Sequence, residues 1–148
     1  MKSLILFGAS FFLLVACNHE ITPGQIAEGP RPIDPNAIVS GTVETAPGIQ
    51  IKGSGSLFII SRKADKPFGP PLAVKNVSDP ILPLEFRLSQ ANVMMQSNIF
   101  SGTISLTARF DRDGNPMTTA AGDIVADVMP SVEVGTTGIK ITLNKVVE

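Results

Sequence analysis

The chain has 148 residues, with 12 Lys and Arg against 13 Asp and Glu and a formal net charge of −1. That balance lacks the clustered basic footprint of a nucleic-acid binder. One cysteine and one histidine, with no Trp or Tyr, exclude an intrachain disulfide and a blue-copper site, which takes two histidines and a thiolate.

From Leu4 to Ala16 the chain is apolar and uncharged, and Lys2 stands just before it. A spanning helix takes roughly 20 such residues, and this run stops at Asn18, His19 and Glu20. A basic start, a short apolar stretch and small residues near a cut predict a secretory signal over residues 1–16. Leu14-Val15-Ala16-Cys17 resembles the lipobox of bacterial lipoproteins. The resemblance implies a diacylglycerol thioether on Cys17, cleavage before it and acylation of the freed amine. Stable anchoring takes two or more chains, each buried methylene contributing about 0.8 kcal/mol. Asn18 in the following position implies, by the enteric rule, the outer membrane rather than the inner one. Cleavage removes Lys2 and leaves 11 basic against 13 acidic residues.

Residues 17–37 read as the lipidated cysteine and a tether. "NHEITPGQIAEGPRPIDPNA" carries Pro23, Pro30, Pro32 and Pro35 without an apolar period, so it buries too little surface to offset its ordering entropy. Proline extends such a chain at about 3.1 Å per residue, a stalk of up to about 60 Å. His19 lies within it and reads as a solvated linker residue.

From Ile38 the pattern changes to period two, and residues 38–148 read as one domain. "IVSGTVET" and "LAVKNV" are short strands. "SLFIIS" is a continuous run of β-formers, suited to a strand covered on both faces. "LPLEFRL" turns Leu84, Phe86 and Leu88 inward, with Glu85 and Arg87 outward. "LSQANVMMQS" is a helical turn or an irregular crossover. "GTISLTARFD" puts Ile104, Leu106, Ala108 and Phe110 on one face, with Ser105, Thr107, Arg109 and Asp111 on the wet one. "GIKITLNKVV" repeats the alternation with Ile139, Ile141 and Leu143. Such alternation between Gly, Pro, Asn and Asp clusters predicts an all-β, antiparallel Ig-like sandwich of about seven strands. A cupredoxin-like Greek key is the alternative arrangement.

The candidate sites follow from this frame. "KPFGPPLAV" offers Phe68 beside Pro70 and Pro71 on a loop, where a rigid sandwich commonly carries recognition. Phe68 either stands exposed as a contact or folds onto the sandwich. Met94 and Met95 suit an adaptable peptide surface or soft Cu(I); the alternative is that one of the pair plugs the open end of the sandwich. Further sulfur ligands would be Met117 and Met129. "DRDGNP", Asp111 to Pro116, lacks the glycine and glutamate spacing of a calcium loop and reads as a hairpin tip, with Asp111 and Asp113 as turn residues. "GSGS", Gly53 to Ser56, has no following lysine or helix and is not a phosphate loop. With no histidine in the domain and, as the lipobox resemblance implies, Cys17 acylated, a Ser–His or Cys–His nucleophile cannot be built. No cofactor, small-molecule substrate or enzymatic activity is expected.

The ordered set "LFIISRKADKPFGPPLAVKNV", "LPLEFRLSQANVMM", "ARFDRDGNPM", "AGDI" and "GIKITLNKVV" resembles the C-terminal periplasmic domain of c-type cytochrome biogenesis proteins of the CcmI/CycH kind, over roughly residues 38–148. The resemblance implies an Ig-like sandwich and an accessory or docking role, with apocytochrome c or haem-ligation proteins as partners. Family members carry membrane helices and helical repeats ahead of this domain, and much of their peptide binding is credited to the repeats. This chain has a lipobox and tether there instead, so the fold and the docking role are what carries over. The expected protein is lipid-anchored, faces the periplasm and binds partners through Phe68, Pro70, Pro71, Met94 and Met95. Two alternatives are a structural or assembly lipoprotein of the envelope without a cytochrome role, and a Cu(I) carrier.

Overall fold

The computed structural model describes residues 33–148. Cys17, His19 and most of the predicted tether lie outside the described residues. Eight strands follow in order: β1 (Ile38–Thr45), β2 (Ser56–Lys63), β3 (Ala73–Ser78), β4 (Leu84–Ser89), β5 (Thr103–Asp111), β6 (Ile124–Ala126), β7 (Met129–Glu133) and β8 (Ile139–Val146). A one-turn 3₁₀ helix, Gln90–Asn92, follows β4. It is capped by reciprocal bonds between Ser89 and Asn92, which accounts for the ambiguous "LSQANVMMQS".

The strands are hydrogen-bonded in the order β3-β2-β5-β6-β8-β1-β4, with β7 also on β5. β6 and β7 are two pieces of one course along β5: Phe110 faces Ile124 and Thr103 faces Glu133. The register shifts between Ile104 and Leu106. Pro130 sits in β7, which pairs only with β5 and shifts register there, a one-sided, bulged setting in which proline is tolerated. The two outer strands nearly close the sheet: Ala73 bridges to Val93, and the Met94 N–H donates to the Leu72 carbonyl at 3.0 Å.

The fold is all-β and Ig-like, as the alternation predicts, but one pairing departs from an antiparallel reading. β1 and β8 run parallel, Val43 beside Ile141, so the domain's first and last strands are neighbours. Gly41 faces Ile139 in that pair. A Cβ there would lie 2.8 Å from the Ile139 Cα and closer still to its carbonyl, so glycine permits the approach.

Alternate residues of each strand fill one core. Val39, Val43, Leu57, Ile59, Leu88, Ile104, Leu106, Ala108 and Leu143 are fully buried. Glu85 and Arg87 are exposed beside buried Phe86 and Leu88. On β2, Phe58 is buried on the face opposite Leu57 and Ile59, so this strand is covered on both sides.

The expectation of one wet face on β5 needs correction. Ser105 is buried and Asp111 is fully inaccessible. β5 is a central strand, flanked by β2 and by β6 and β7, and residues 112–123 fold back across its outer face.

Candidate functional site

The registers define two ends of the domain. Lys63 faces Ile104, and Thr103 faces Glu133. The β2–β3 loop, the segment between β4 and β5, and the β7–β8 turn therefore gather at one end. Ser56 faces both Asp111 and Ser78, so the β1–β2, β3–β4 and β5–β6 loops lie at the other.

At the first end the β2–β3 loop is pinned by its own backbone. The Lys66 N–H donates to the Lys63 carbonyl at 2.9 Å, Gly69 to Lys66 at 3.0 Å, and Leu72 to Ser61 at 2.8 Å. Arg62 Nε donates to the Gly69 carbonyl at 3.1 Å. Buried Ser61 is satisfied by the Ala73 backbone, accepting from its N–H and donating to its carbonyl. Pro67, Pro70 and Pro71 fix φ through the turn. At the crest of this stiff loop Phe68 is 99% exposed, so it stands clear of the sandwich. Leaving a phenylalanine in water forgoes about 1.5–3 kcal/mol of burial.

The neighbouring segment is equally constrained. Gln90 Nε2 donates to the Asn98 carbonyl at 2.9 Å, and the Phe100 N–H donates to Gln90 Oε1 at 2.7 Å. Phe100 is fully buried and anchors the segment. Met94 and Met95 are 62% and 55% exposed; neither plugs the core. Met95, Pro70 and Pro71 share a hollow of about 220 Å³ with Lys63 and Lys66. The structure thus brings Met95, Pro70 and Pro71 together, joins Met94 to the same loop through Leu72, and holds Phe68 two residues before Pro70. An apolar surface fixed by proline and backbone hydrogen bonds loses little entropy on binding.

The remaining methionines do not join them. Met117 is exposed on the β5–β6 loop at the opposite end, and Met129 faces Leu106 midway along β5. A nine-residue strand spans about 30 Å, so these four thioethers cannot surround one ion. Among the described residues no group of three or more His, Cys, Asp or Glu side chains could hold a metal.

The opposite end carries a polar cluster that period-two reasoning missed. Asp111 is a buried residue of β5, not an ordinary turn carboxylate. Arg109 Nη2 lies 3.0 Å from Asp111 Oδ2. The same guanidinium donates to Thr119 Oγ1 at 2.7 Å and to the Pro116 carbonyl at 3.1 Å, and sits 5.8 Å from the Phe58 ring centroid. Burial pushes the Asp111 carboxyl up from its ordinary range, helped by a hydrogen bond to Asp113 and the Asp123 charge; the Asn115 N–H and Arg109 pull it back. Asp113 is held low, first by the Asn115 N–H and then by the bond from Asp111. The loop does turn as expected at "DGN", with Gly114 at φ +70°.

The chain is thus an all-β, Ig-like domain with apolar loop residues exposed at one end. More particularly, residues 39–144 match the cytochrome c-type biogenesis protein H Ig-like domain, and the chain belongs to that family. Among solved structures it is similar to an alternative pilotin from the type II secretion system of Vibrio cholerae. The two are 18% identical with a TM-score of 0.53, over 75% of this chain and 97% of that one. No curated protein matches the chain.

Proposed function

We propose that this chain is a lipid-anchored accessory protein of the bacterial envelope, related to c-type cytochrome biogenesis, that docks partner proteins through the end of its sandwich. The observation that carries the reading is the family match across the whole sandwich, on a fold whose exposed apolar residues include Phe68, Met94 and Met95. Cys17 supplies the anchor in this reading, residues 18–37 the stalk, and the domain faces the periplasm, with the outer membrane favoured. Phe68, Pro70, Pro71, Met94 and Met95 form the contact surface, and the role is binding without catalysis. Affinity capture from native membranes tests it: apocytochromes c or haem-ligation proteins should be enriched, and their absence would overturn the assignment.

A second reading has its own support. The solved pilotin chain is covered over 97% of its length, so this fold alone accounts for nearly all of a secretion-system accessory protein. In that reading the partner is a component of an envelope assembly. A deletion strain with normal cytochrome c content and a defective envelope complex would favour it over the first.

A further inference from the structure

The end opposite Phe68 carries a cleft that the docking role has not used. Its walls are the β1–β2 loop, residues 46–55, and the β5–β6 loop, residues 112–123. Phe110, Ile124, Ile49 and Val146 line a hollow of about 320 Å³ that Lys52 and Arg112 border. An adjoining hollow of about 440 Å³ is bordered by the same two cations, with Asp113 and Asp123. Both carboxylates border the second hollow and not the first. Asp123 is 1% exposed and accepts from the Arg112 N–H at 3.1 Å and the Ala120 N–H at 2.8 Å. Asp113 accepts from the Asn115 N–H at 2.8 Å. The first hollow is lined by no acidic residue.

The walls are held in place before any ligand arrives. The Gly122 N–H donates to the Val147 carbonyl and the Val147 N–H to the Asp123 carbonyl, both at 2.8 Å. This ties the chain's last strand to the loop. The Gly55 N–H donates to Asp79 Oδ1 at 3.1 Å, and the Asp79 N–H returns to the Gly55 carbonyl at 2.8 Å. The Arg112 side chain lies across Gly122, where a Cβ would stand 2.7 Å from Nη1. Lys52 and Arg112 are exposed, and neither has an ion-pair partner among the described residues.

We propose that this cleft is a second docking site, for an acidic, apolar peptide segment of a partner protein. In the first hollow a carboxylate would sit between Lys52 and Arg112, and an apolar neighbour would cover Ile49 and Val146. Charge complementarity at such a rim sets orientation and association rate, while the apolar floor holds the complex. The two sites lie at opposite ends of one rigid domain, so one molecule can hold two partners at once.

The test is fluorescence anisotropy on the full chain with a labelled nine-residue peptide of alternating glutamate and leucine. A glutamine–leucine version and phosphatidylglycerol vesicles serve as competitors. The glutamate peptide should bind, more weakly as salt rises. Lys52→Glu with Arg112→Glu should weaken it by about tenfold or more. Lys52→Gln, at an exposed position, should weaken it less, and Phe68→Ser should leave it unchanged. Equal binding of the glutamine peptide, or indifference to Lys52→Gln and the double variant, would overturn the proposal. So would binding of the vesicles alone with no peptide bound. None of these outcomes depends on which partner the Phe68 end takes.

Discussion

Arg109 and Asp111 lie two positions apart on the same face of β5, with Nη2 of one 3.0 Å from Oδ2 of the other and side chains 13% and 1% exposed. Removing one member of a buried pair strands the other's charge, and that loss exceeds what the pair contributes over an apolar replacement. Arg109 also fastens Thr119 and Pro116, so its loss releases the loop over the outer face. Arg109→Ala should destabilise the domain by on the order of 3 kcal/mol. Arg109→Lys should recover only part of this, because an ammonium cannot reach several acceptors in one plane. Urea midpoints of both variants check this; equal midpoints for Arg109→Ala and the parent would show the pair to be incidental.

The Asp111–Asp113 pair gives stability a signature in acid. Asp111 is raised, first by burial, so the folded state binds its proton more tightly than the unfolded chain. Its contribution is fully present below the ordinary aspartate value of about 3.9 and is lost as pH rises through the raised value. Asp113 is lowered, first by the Asn115 N–H. Its contribution is present above about 3.9 and is lost as pH falls through the lowered value. Asp111→Asn should therefore remove a decline in stability above about pH 4, and Asp113→Asn a rise just below it. Thermal midpoints measured across acid and neutral pH, taken as differences from the parent, should show these opposite slopes. Two flat difference curves would contradict the coupling.

Gly41 faces Ile139 across the parallel β1–β8 pair. Glycine inside a strand weakens it unless another backbone needs the room, and here the Ile139 carbonyl takes that room. Gly41→Ala must push the parallel pair apart, and overpacking of this kind costs about 3 kcal/mol. Chemical denaturation should show the loss, with amide exchange accelerated in β1 and β8 ahead of β2 and β5. Uniform acceleration would mean that the pair is not a separable weak point.

The parts of the fold legible in the sequence were those whose information is local. β2, β4, β5 and β8 carry enough alternating residues to reveal both type and facing. β6 has three residues, and β7 contains Pro130, so neither presents a period; both exist because β5 offers an unpaired edge. The β1–β8 pairing joins the two ends of the domain, and only Gly41 hints at it. Asp111 sits where alternation points outward, and its burial depends on a loop that returns from residues beyond it. At the candidate site the residue types were visible, since Phe between prolines and paired methionines stand out. Their convergence was not, because it depends on the bridge from Ala73 of β3 to Val93, just after the 3₁₀ turn.

Phe100 shows what holds that convergence. It lies between the 3₁₀ turn and β5, fully buried, and its N–H is fixed by Gln90 Oε1 at 2.7 Å. Phe100→Ala should cost about 3–5 kcal/mol as a cavity in the core. Gln90→Ala leaves the ring in place and should cost about 1 kcal/mol through lost hydrogen bonds, with faster exchange over residues 93–100. If Gln90→Ala leaves that exchange unchanged, the segment is held by packing alone.

The surface residues separate binding from folding most cleanly. Phe68 is 99% exposed, Met94 62% and Met95 55%, so the folded state gains little from their side chains. Phe68→Ser, or Met94→Gln with Met95→Gln, should change stability by no more than about 0.5 kcal/mol. If this end docks a partner, the phenylalanine is its best anchor, because a rigid aromatic removes the most water for the least entropy. Phe68→Ser should then reduce capture of the partner about tenfold or more, since losing one buried phenylalanine contact is worth at least about 1.4 kcal/mol. The methionine pair should reduce it less, because flexible thioethers leave neighbours that can repack. Parallel measurement of unfolding midpoints and native capture distinguishes the outcomes. A stable Phe68→Ser protein that still retains every partner would remove this end of the sandwich from the binding role.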